Sequence, residues 1–312
     1  VLLPALKEVR PHYMLTVPML IEKVFRNSIL PGINRSPVTK SLYNFTLTNG
    51  LICRLAGKKL MKTFGGRVKF FGIGGAKLDI NVEKFLRKAK FPYAIGYGLT
   101  ETSPLLAGSN PSNTSLQAIG KEVEECEIKI NNPDQQTGEG EIWAKGPNIM
   151  LGYYKDPERT QEVMTSDGWF KTGDLGRFDK KGRLSHKGRL KNMIIGPNGE
   201  NIYPEEIESV INNFPHVVES LVVEKHGRLT ALVHFNREEI EEKLRTIKTD
   251  IARKVDDKLE ELSHRVDNTM DELRKELHHY VNFRVNKFSR IHALVVKREP
   301  FAKTATQKIK RY

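Results

Sequence analysis

A strand–helix–strand pattern near residues 68 to 95 constrains the fold of this chain more than any other feature. Residues Val68 to Phe71 form a short β-rich run, and Phe91 to Ile95 form a second one. Between the two runs, Asp79 is suited to cap a helix. The apolar face of that helix consists of Val82, Phe85, Leu86 and Ala89. This order predicts a β–α–β unit, and therefore an α/β fold with a parallel sheet.

Glycine-containing motifs follow both predicted strands. The first is Gly72-Ile73-Gly74-Gly75-Ala76, and the second is Gly96-Tyr97-Gly98-Leu99-Thr100-Glu101-Thr102. Glycine has no Cβ, so its backbone can approach a flat ligand closely. Open parallel sheets bind ligands at the carboxyl ends of their strands. We therefore predict that the two motifs face the same ligand.

The side chains of the second motif suit a nucleotide. The ring of Tyr97 can stack on a purine, and the hydroxyl of Thr100 can bond a phosphate oxygen. Glu101 supplies a hard oxygen ligand for Mg²⁺. A Thr-Glu pair by itself is more often a helix cap, and a glycine turn by itself is more often an ordinary tight turn. Together they favour a nucleotide site over either of these alternatives.

Three further motifs follow in the second half of the chain. They are Thr172-Gly173-Asp174, Gly188-Arg189-Leu190-Lys191 and the basic run from Lys303 to Arg311. Asp174 is flanked by small residues, which predicts an accessible carboxylate able to accept the hydroxyl protons of a ribose. Arg189 can hold ribose or phosphate oxygens with its guanidinium. The alternatives are a β-turn aspartate at 174 and a frayed basic tail at the carboxyl end.

The secondary structure that the sequence predicts changes twice along the chain. From about Leu116 to Arg189, short strands and glycine turns predict a small antiparallel or barrel-like β subdomain. A boundary is predicted near Lys191, which divides the chain into domains 1–190 and 191–312. The second domain is predicted to be α+β, with a helix opened by Pro204 and a hairpin over Val217–Phe235.

A long helical insertion, about 238–287, is predicted within the second domain. Its apolar stripe consists of Ile251, Val255, Leu259, Leu262, Val266, Met270, Leu273 and Leu277. The spacing follows an eleven-residue rhythm, which is typical of a nearly straight helix or a slightly right-handed supercoil. Packing on its own domain is favoured over oligomerisation, and the oligomeric state stays open.

Composition narrows the classes of partner. The 312 residues carry a net charge of +13, which suits solvated surfaces, polyphosphate and CoA, or peripheral contact with an anionic membrane. No apolar run reaches the length of a membrane helix, so we expect a cytoplasmic, or membrane-peripheral, protein. Cys53, Cys126 and the nine histidines show no metal or redox spacing. No module for nucleic-acid binding is recognisable.

The five motifs, in this order, resemble those of the adenylate-forming (AMP-binding) superfamily, and within it the long-chain fatty acid–CoA ligases. The resemblance implies that Gly74, Gly75 and Ala76 line the adenine pocket and that Lys191 is a hinge. It also implies that Lys308 stabilises the charge that develops when a carboxylate attacks the α-phosphate. Gln307 stands where the family usually has glycine.

The same resemblance implies a two-step reaction with ATP, Mg²⁺ and CoA. A fatty acid and ATP give acyl-AMP, and CoA thiol then gives acyl-CoA, with the loop from Gly196 to Asn201 turned toward the pantetheine arm. The family's phosphate-gripping loop, rich in Ser, Thr and Gly, is not found in this sequence. We therefore expect the back part of a longer enzyme, inactive by itself.

Two alternatives stay open at the level of sequence. One is acyl-AMP or acyl-carrier-protein ligation, which shares every nucleotide motif. The other is a truncated, non-catalytic chain that binds nucleotide. The acyl chain length that the protein prefers is also left open.

Overall fold

The computed structural model describes residues 2–242, 259–304 and 309–311, and within the last long helix it describes side chains from residue 266 onward. The chain divides into two compact units, Val1–Lys187 and Gly188–Tyr312. This division lies three residues before the predicted boundary between 190 and 191. That the second unit acts as a mobile lid stays a prediction.

The first unit is a mixture of helices and short strands. Its helices are α1 (Leu2–Val9), α2 (Pro18–Val24), α3 (Leu30–Asn34), α4 (Pro37–Asn44), α5 (Thr46–Thr63), α6 (Ile80–Ala89) and α7 (Pro157–Val163), with a π-helical turn at Phe25–Ile29 and a 3₁₀ turn at Thr100–Thr102. Its strands are β1 (Tyr13–Thr16), β2 (Phe70–Ile73), β3 (Tyr93–Gly98), β4 (Leu105–Gly108), β5 (Lys121–Glu122), β6 (Glu127–Asn131), β7 (Gly140–Lys145), β8 (Phe170–Phe178) and β9 (Leu184–Arg189), which runs into the second unit.

A five-stranded sheet in the order β1-β2-β3-β4-β5 supports the glycine motifs. Strands β1, β2 and β3 are parallel, and β4 and β5 continue the sheet antiparallel. The predicted β–α–β unit and the α/β class are therefore confirmed. Both strands begin and end two to three residues later than the sequence suggests. The reason is that Gly72 and Gly96 pair within the sheet, opposite Leu15 and Gly108, instead of forming turns.

Helix α6 has the cap and the buried face that the sequence predicts. The Asp79 carboxylate accepts the N–H groups of Asn81 and Val82 at 3.0 and 2.9 Å. Val82, Phe85 and Leu86 are almost completely buried, and burying one such side chain contributes about 1.5–3 kcal/mol. The helix ends where Lys90 adopts a left-handed conformation.

The second sheet of this unit has four strands in the order β6-β7-β8-β9. The pairs β6–β7 and β7–β8 are antiparallel, which confirms the predicted small β subdomain. Ile142 and Leu184 are buried in its core. Strand β8 includes Asp174 and β9 includes Arg189, so this sheet carries two of the predicted site residues.

The second unit combines a three-stranded sheet with helices. Its helices are α8 (Pro204–Ile211), α9 (described over 237–242) and α10 (Leu259–Arg284), with 3₁₀ turns at Leu190–Asn192 and Lys287–Ser289. Its strands are β10 (Ile194–Ile195), β11 (Asn201–Ile202), β12 (Val217–Lys225), β13 (Arg228–Phe235) and β14 (Ala293–Lys297). Strands β12 and β13 form the predicted hairpin, and β14 lies parallel to β13.

Helix α10 packs on the core of its own unit. Val266, Leu277 and Val281 are buried in one cluster with Ile207 and Ile211 of α8. Met270 and Leu273 are partly buried against the same cluster, as the predicted stripe requires. Of the remaining stripe, Ile251 and Val255 lie outside the described residues, as do the side chains of Leu259 and Leu262. No helix within the described residues combines the length and apolarity needed to span a bilayer.

Candidate nucleotide-binding site

The two glycine motifs of the first unit lie next to each other at the edge of the parallel sheet. The Gly74 N–H donates to the carbonyl oxygen of Thr16 at 3.0 Å. A Cβ added at Gly74 would lie 3.3 Å from the Gly96 carbonyl oxygen. Gly75 adopts φ +83°, a conformation that favours glycine. The backbone of the first motif thus lies beside the start of the second, as the parallel pairing of β2 and β3 requires, with Ala76 two residues beyond Gly74.

Gly98 is needed for a close backbone approach inside the second motif. A Cβ at this position would lie 1.6 Å from the carbonyl oxygen of Pro104, so any other residue would displace the backbone. The buried Thr102 hydroxyl accepts the Leu99 N–H at 2.9 Å and donates to the Pro104 carbonyl at 2.6 Å. These contacts fix the 3₁₀ turn, which leaves Thr100 exposed and Glu101 half-buried.

Tyr97 and Asp174, separated by 77 residues in the sequence, are hydrogen-bonded. The Tyr97 hydroxyl donates to Oδ2 of Asp174 at 2.9 Å. Nε2 of His186 lies 3.5 Å from Oδ1 of the same carboxylate. The ring centroids of Tyr97 and His186 are 5.9 Å apart. Asp174 is only 3% exposed. The expectation of an accessible carboxylate is therefore wrong for this conformation, because Tyr97 and His186 cover it.

The backbone at Asp174 is braced against the neighbouring strand. The Thr172 hydroxyl donates to the Ile142 carbonyl at 2.7 Å and accepts the Asp174 N–H at 3.1 Å. The Gly173 N–H donates to Oε1 of Glu141 at 3.1 Å. Gly173 has φ +69°, which explains glycine at this position. The glycine next to Asp174 is thus required by the backbone conformation at position 173.

Glu101 is held by a tyrosine that the sequence analysis did not single out. The Tyr153 hydroxyl donates to Oε1 of Glu101 at 3.0 Å, and Arg159 lies over the Tyr153 ring at 4.7 Å. Within the described residues no three His, Cys, Asp or Glu side chains form a metal cluster. Mg²⁺ needs no such cluster when substrate phosphates and water supply its other ligands. One half-buried carboxylate, next in sequence to the exposed hydroxyl of Thr100, is compatible with that pattern.

Arg189 and Lys191 belong to the second unit. Arg189 is half-buried at the end of β9, and its carbonyl oxygen accepts the Met193 N–H at 3.1 Å. Lys191 is exposed in the 3₁₀ turn that follows. The preceding Gly188 packs closely on α8, since a Cβ there would lie 2.9 Å from Oε2 of Glu205. The side-chain amide of Asn192 donates to Oε1 of Glu205 at 2.7 Å. This hydrogen bond holds the 3₁₀ turn against α8.

Lys308 lies outside the described residues, but the segments on either side of it are anchored. Lys303 and Ile309 form an antiparallel bridge, and the Lys310 N–H donates to the Ala302 carbonyl at 2.8 Å. Lys303 also forms an ion pair with Glu219 at 2.7 Å. Arg311 donates to Oε2 of Glu208 at 2.5 Å.

Glu208 is a buried carboxylate that sequence analysis missed. It is 8% exposed, and burial raises its pKa although Arg311 acts to lower it. Its second oxygen accepts the Val222 N–H at 2.7 Å. The two residues are 103 positions apart, so local sequence patterns do not mark this contact. The contacts of His186 and Tyr153 were not predicted either; His186 lies on β9, and Tyr153 lies in the loop before α7.

Comparisons with known proteins agree with these motifs. A family model described as AMP-binding enzyme matches residues 1–154. Long-chain-fatty-acid–CoA ligase 1 of Saccharomyces cerevisiae is 31% identical over 258 residues, which cover 73% of this chain and 37% of the yeast protein. A peroxisomal long chain acyl-CoA synthetase of Arabidopsis thaliana is 34% identical over 231 residues, 67% of this chain and 33% of that protein.

Solved structures share the fold over nearly the whole chain. The o-succinylbenzoate CoA synthetase of Bacillus subtilis, in complex with its acyl-adenylate intermediate, aligns with a TM-score of 0.67 and 23% identity, covering 98% of this chain and 51% of that one. The chain belongs to the adenylate-forming, AMP-binding enzymes. Its curated relatives include long-chain fatty acid–CoA ligases, and it spans about a third of their length.

Proposed function

We propose that this chain takes part in the ATP-dependent activation of long-chain fatty acids, first to acyl-AMP and then to acyl-CoA. The observation that carries the proposal is the hydrogen bond between Tyr97 and Asp174. It joins an aromatic ring suited to a purine with a carboxylate suited to a ribose. The packing of Gly74 against Gly96 supplies the flat backbone surface beside them.

In the proposed site, Gly74, Gly75, Ala76 and Gly98 line the adenine pocket, and Tyr97 stacks on the base. The ribose hydroxyls replace the Tyr97 hydroxyl at Asp174. This exchange is inexpensive because one neutral hydroxyl donor substitutes for another. Arg189 holds ribose or phosphate oxygens with its guanidinium.

In the proposed site, the phosphates of ATP lie beside Thr100 and Glu101. The exposed Thr100 hydroxyl donates to a phosphate oxygen. Glu101, oriented by Tyr153, is the carboxylate that would hold Mg²⁺, which neutralises phosphate charge when it is bound. We further propose that Lys308 stabilises the transition state of adenylation, that Lys191 is a hinge, and that the loop from Gly196 to Asn201 meets CoA.

The test is binding of a non-hydrolysable acyl-AMP analogue, an acyl-sulfamoyl adenosine with a long acyl chain, to the purified chain. We expect saturable binding that ATP competes for and that Gly98→Ala abolishes. Gly50→Ala, at a helical glycine where an added Cβ would meet nothing within 4 Å, is the matched control. A chain that is folded but binds neither the analogue nor ATP would refute the proposal.

A second candidate is ligation to an acyl-carrier protein. A chloroplastic long-chain-fatty-acid–[acyl-carrier-protein] ligase of Arabidopsis thaliana is 36% identical over 204 residues, 60% of this chain and 28% of that protein. An assay with CoA and carrier protein as competing thiol acceptors distinguishes the two. Analogue binding with no thioester product from either acceptor would instead favour a chain that binds nucleotide without turnover.

A further inference from the structure

The solvent face of helix α5 has an unusual combination of side chains. Leu47, Leu51 and Leu55 are exposed by 85%, 61% and 56%. Arg54, Lys58 and Lys62 are exposed beside them. At about 100° per residue, all six positions fall within an arc of about 100° on one side of the helix. We call these six residues the α5 face.

The opposite side of α5 is the one that packs on the protein. Cys53, Gly57 and Leu60 are buried there, and a Cβ at Gly57 would lie 2.7 Å from the Cβ of Ala89 on α6. The α5 face is therefore not a core surface turned outward by a loosely held helix. Three exposed leucines on the solvent side of a well-packed helix need a separate explanation.

The charge around the α5 face has a single sign. Between residues 23 and 78 the sequence has eleven lysines and arginines and no aspartate or glutamate. Ordinary solvent faces mix both signs. Here Arg54, Lys58 and Lys62 are spaced four residues apart, so they repel one another in water. An external anion would remove that repulsion.

Helix α4 adds to the same pattern. Val38, Leu42 and Phe45 are exposed at this helix and at the corner leading into α5. The corner is fixed, because the Thr48 hydroxyl donates to the Leu42 carbonyl and Asn49 donates to the Tyr43 carbonyl. Apolar side chains thus remain in water on a structured part of the chain.

We propose that the α5 face docks on the surface of an anionic phospholipid bilayer. Leucines reach the boundary between headgroups and acyl chains, and the three cations contact lipid phosphates and anionic headgroups. A nucleic acid would satisfy the cations but not the leucines. A second copy of this chain would bring cations against cations. The bilayer is the partner that matches both parts of the face.

The first test measures co-sedimentation of the chain with phosphatidylcholine vesicles that contain 30% phosphatidylserine or none. We expect binding only to the anionic vesicles, weakening as salt is added. The double variant Lys58→Gln, Lys62→Gln should weaken partitioning about 25-fold, since each cation at such a surface contributes about fivefold. The matched control is Lys180→Gln, Lys181→Gln, which removes two exposed lysines from a turn elsewhere. Equal losses in both variants would overturn the proposal, as would equal binding to the two kinds of vesicle.

The second test asks whether the leucines enter the bilayer. A tryptophan placed by Leu51→Trp should be quenched by lipids brominated in the acyl chain, whereas one placed by Val218→Trp, at an exposed position of β12 in the other unit, should not. Absence of quenching at position 51 would overturn the proposal. So would self-association that Leu51→Ser abolishes, because it would identify a second copy as the occupant. Binding of the acyl-AMP analogue should be unchanged in Lys58→Gln, Lys62→Gln, which separates this inference from the proposed function.

Discussion

Two buried carboxylates in this molecule are stabilised in different ways. Asp174, in the first unit, accepts a hydrogen bond from the neutral hydroxyl of Tyr97. Glu208, in the second unit, accepts a charged hydrogen bond from Arg311 and a backbone N–H from Val222. Both acceptors are carboxylates, but only the Glu208 contact is also an ion pair, because its donor carries a charge of its own. A ligand hydroxyl can therefore replace the partner of Asp174, whereas replacing the partner of Glu208 would leave a charge buried.

This difference separates a carboxylate suited to ligand exchange from one suited to anchoring. The β frame around Asp174 is made by Thr172, Gly173 and Glu141, so the carboxylate can change partners without loss of backbone structure. The Arg311–Glu208 contact is one of the anchors of the carboxyl-terminal segment, together with the Lys303–Glu219 ion pair. The following predictions challenge this comparison in order of decreasing effect.

The largest effect is expected from Arg311→Met. Removing the cation leaves Glu208 buried without its charged partner, which typically costs about 3–5 kcal/mol. We expect the free energy of unfolding of the second unit, measured with urea, to fall by about that amount. In a Glu208→Gln background the same change should cost much less, because no buried charge remains. Equal costs in the two backgrounds would mean that Arg311 acts through packing or through its ion pair with Glu205 instead.

The cost of Arg311→Met should also depend on pH. Burial raises the pKa of Glu208 above its ordinary value, so the folded state binds the proton more readily than the unfolded state. The penalty for burying the charged form is present above the folded pKa and is relieved as pH falls through it. The difference in stability between Arg311→Met and the parent should therefore shrink as the solution is acidified. A difference that grows on acidification would contradict this account of Glu208.

A smaller and different effect is expected from Asp174→Asn. A hydrogen bond to a charged group contributes about 1.5–3 kcal/mol, so affinity for the acyl-AMP analogue should fall by about 10- to 100-fold. Stability should change little, because Tyr97 needs only one acceptor, which the amide oxygen supplies, whereas the two ribose hydroxyls need both carboxylate oxygens. Calorimetric titration and urea unfolding of the same preparation check both parts. A large loss of stability with unchanged affinity would reverse the roles assigned to the two carboxylates.

The elements that were predictable from sequence are those with local signals. Asp79 and the spacing of Val82, Phe85 and Leu86 predicted α6 closely, because capping and amphipathic period are properties of neighbouring residues. Strand ends were less predictable. Gly72 and Gly96 look like turn residues, yet their pairing with Leu15 and Gly108 extends the sheet through them. Such pairing depends on strands distant in sequence.

The candidate site shows the same limit. Motif residues could be named from sequence, but Tyr153 and His186 could not, because their importance comes from distance to Glu101 and Asp174. The burial of Asp174 was mispredicted for the same reason: small neighbours in sequence say nothing about a tyrosine 77 residues away. Local chemistry identified the candidate ligand contacts, and tertiary packing decided which groups surround them.

The smallest effect is expected at Asp179, a partly exposed carboxylate in the turn between β8 and β9. The backbone N–H of Arg183 and its guanidinium lower the pKa of Asp179 to about 2. A lowered pKa contributes stability above the ordinary value, and this contribution is lost as pH falls through about 2. Asp179→Asn should therefore slightly lower the unfolding temperature at neutral pH and reduce the loss of stability between about pH 4 and 2. Lys180→Gln, next to it in the same turn, should do neither. If Asp179→Asn destabilised the protein as much as Arg311→Met, burial would not be what distinguishes an anchoring carboxylate from a surface one.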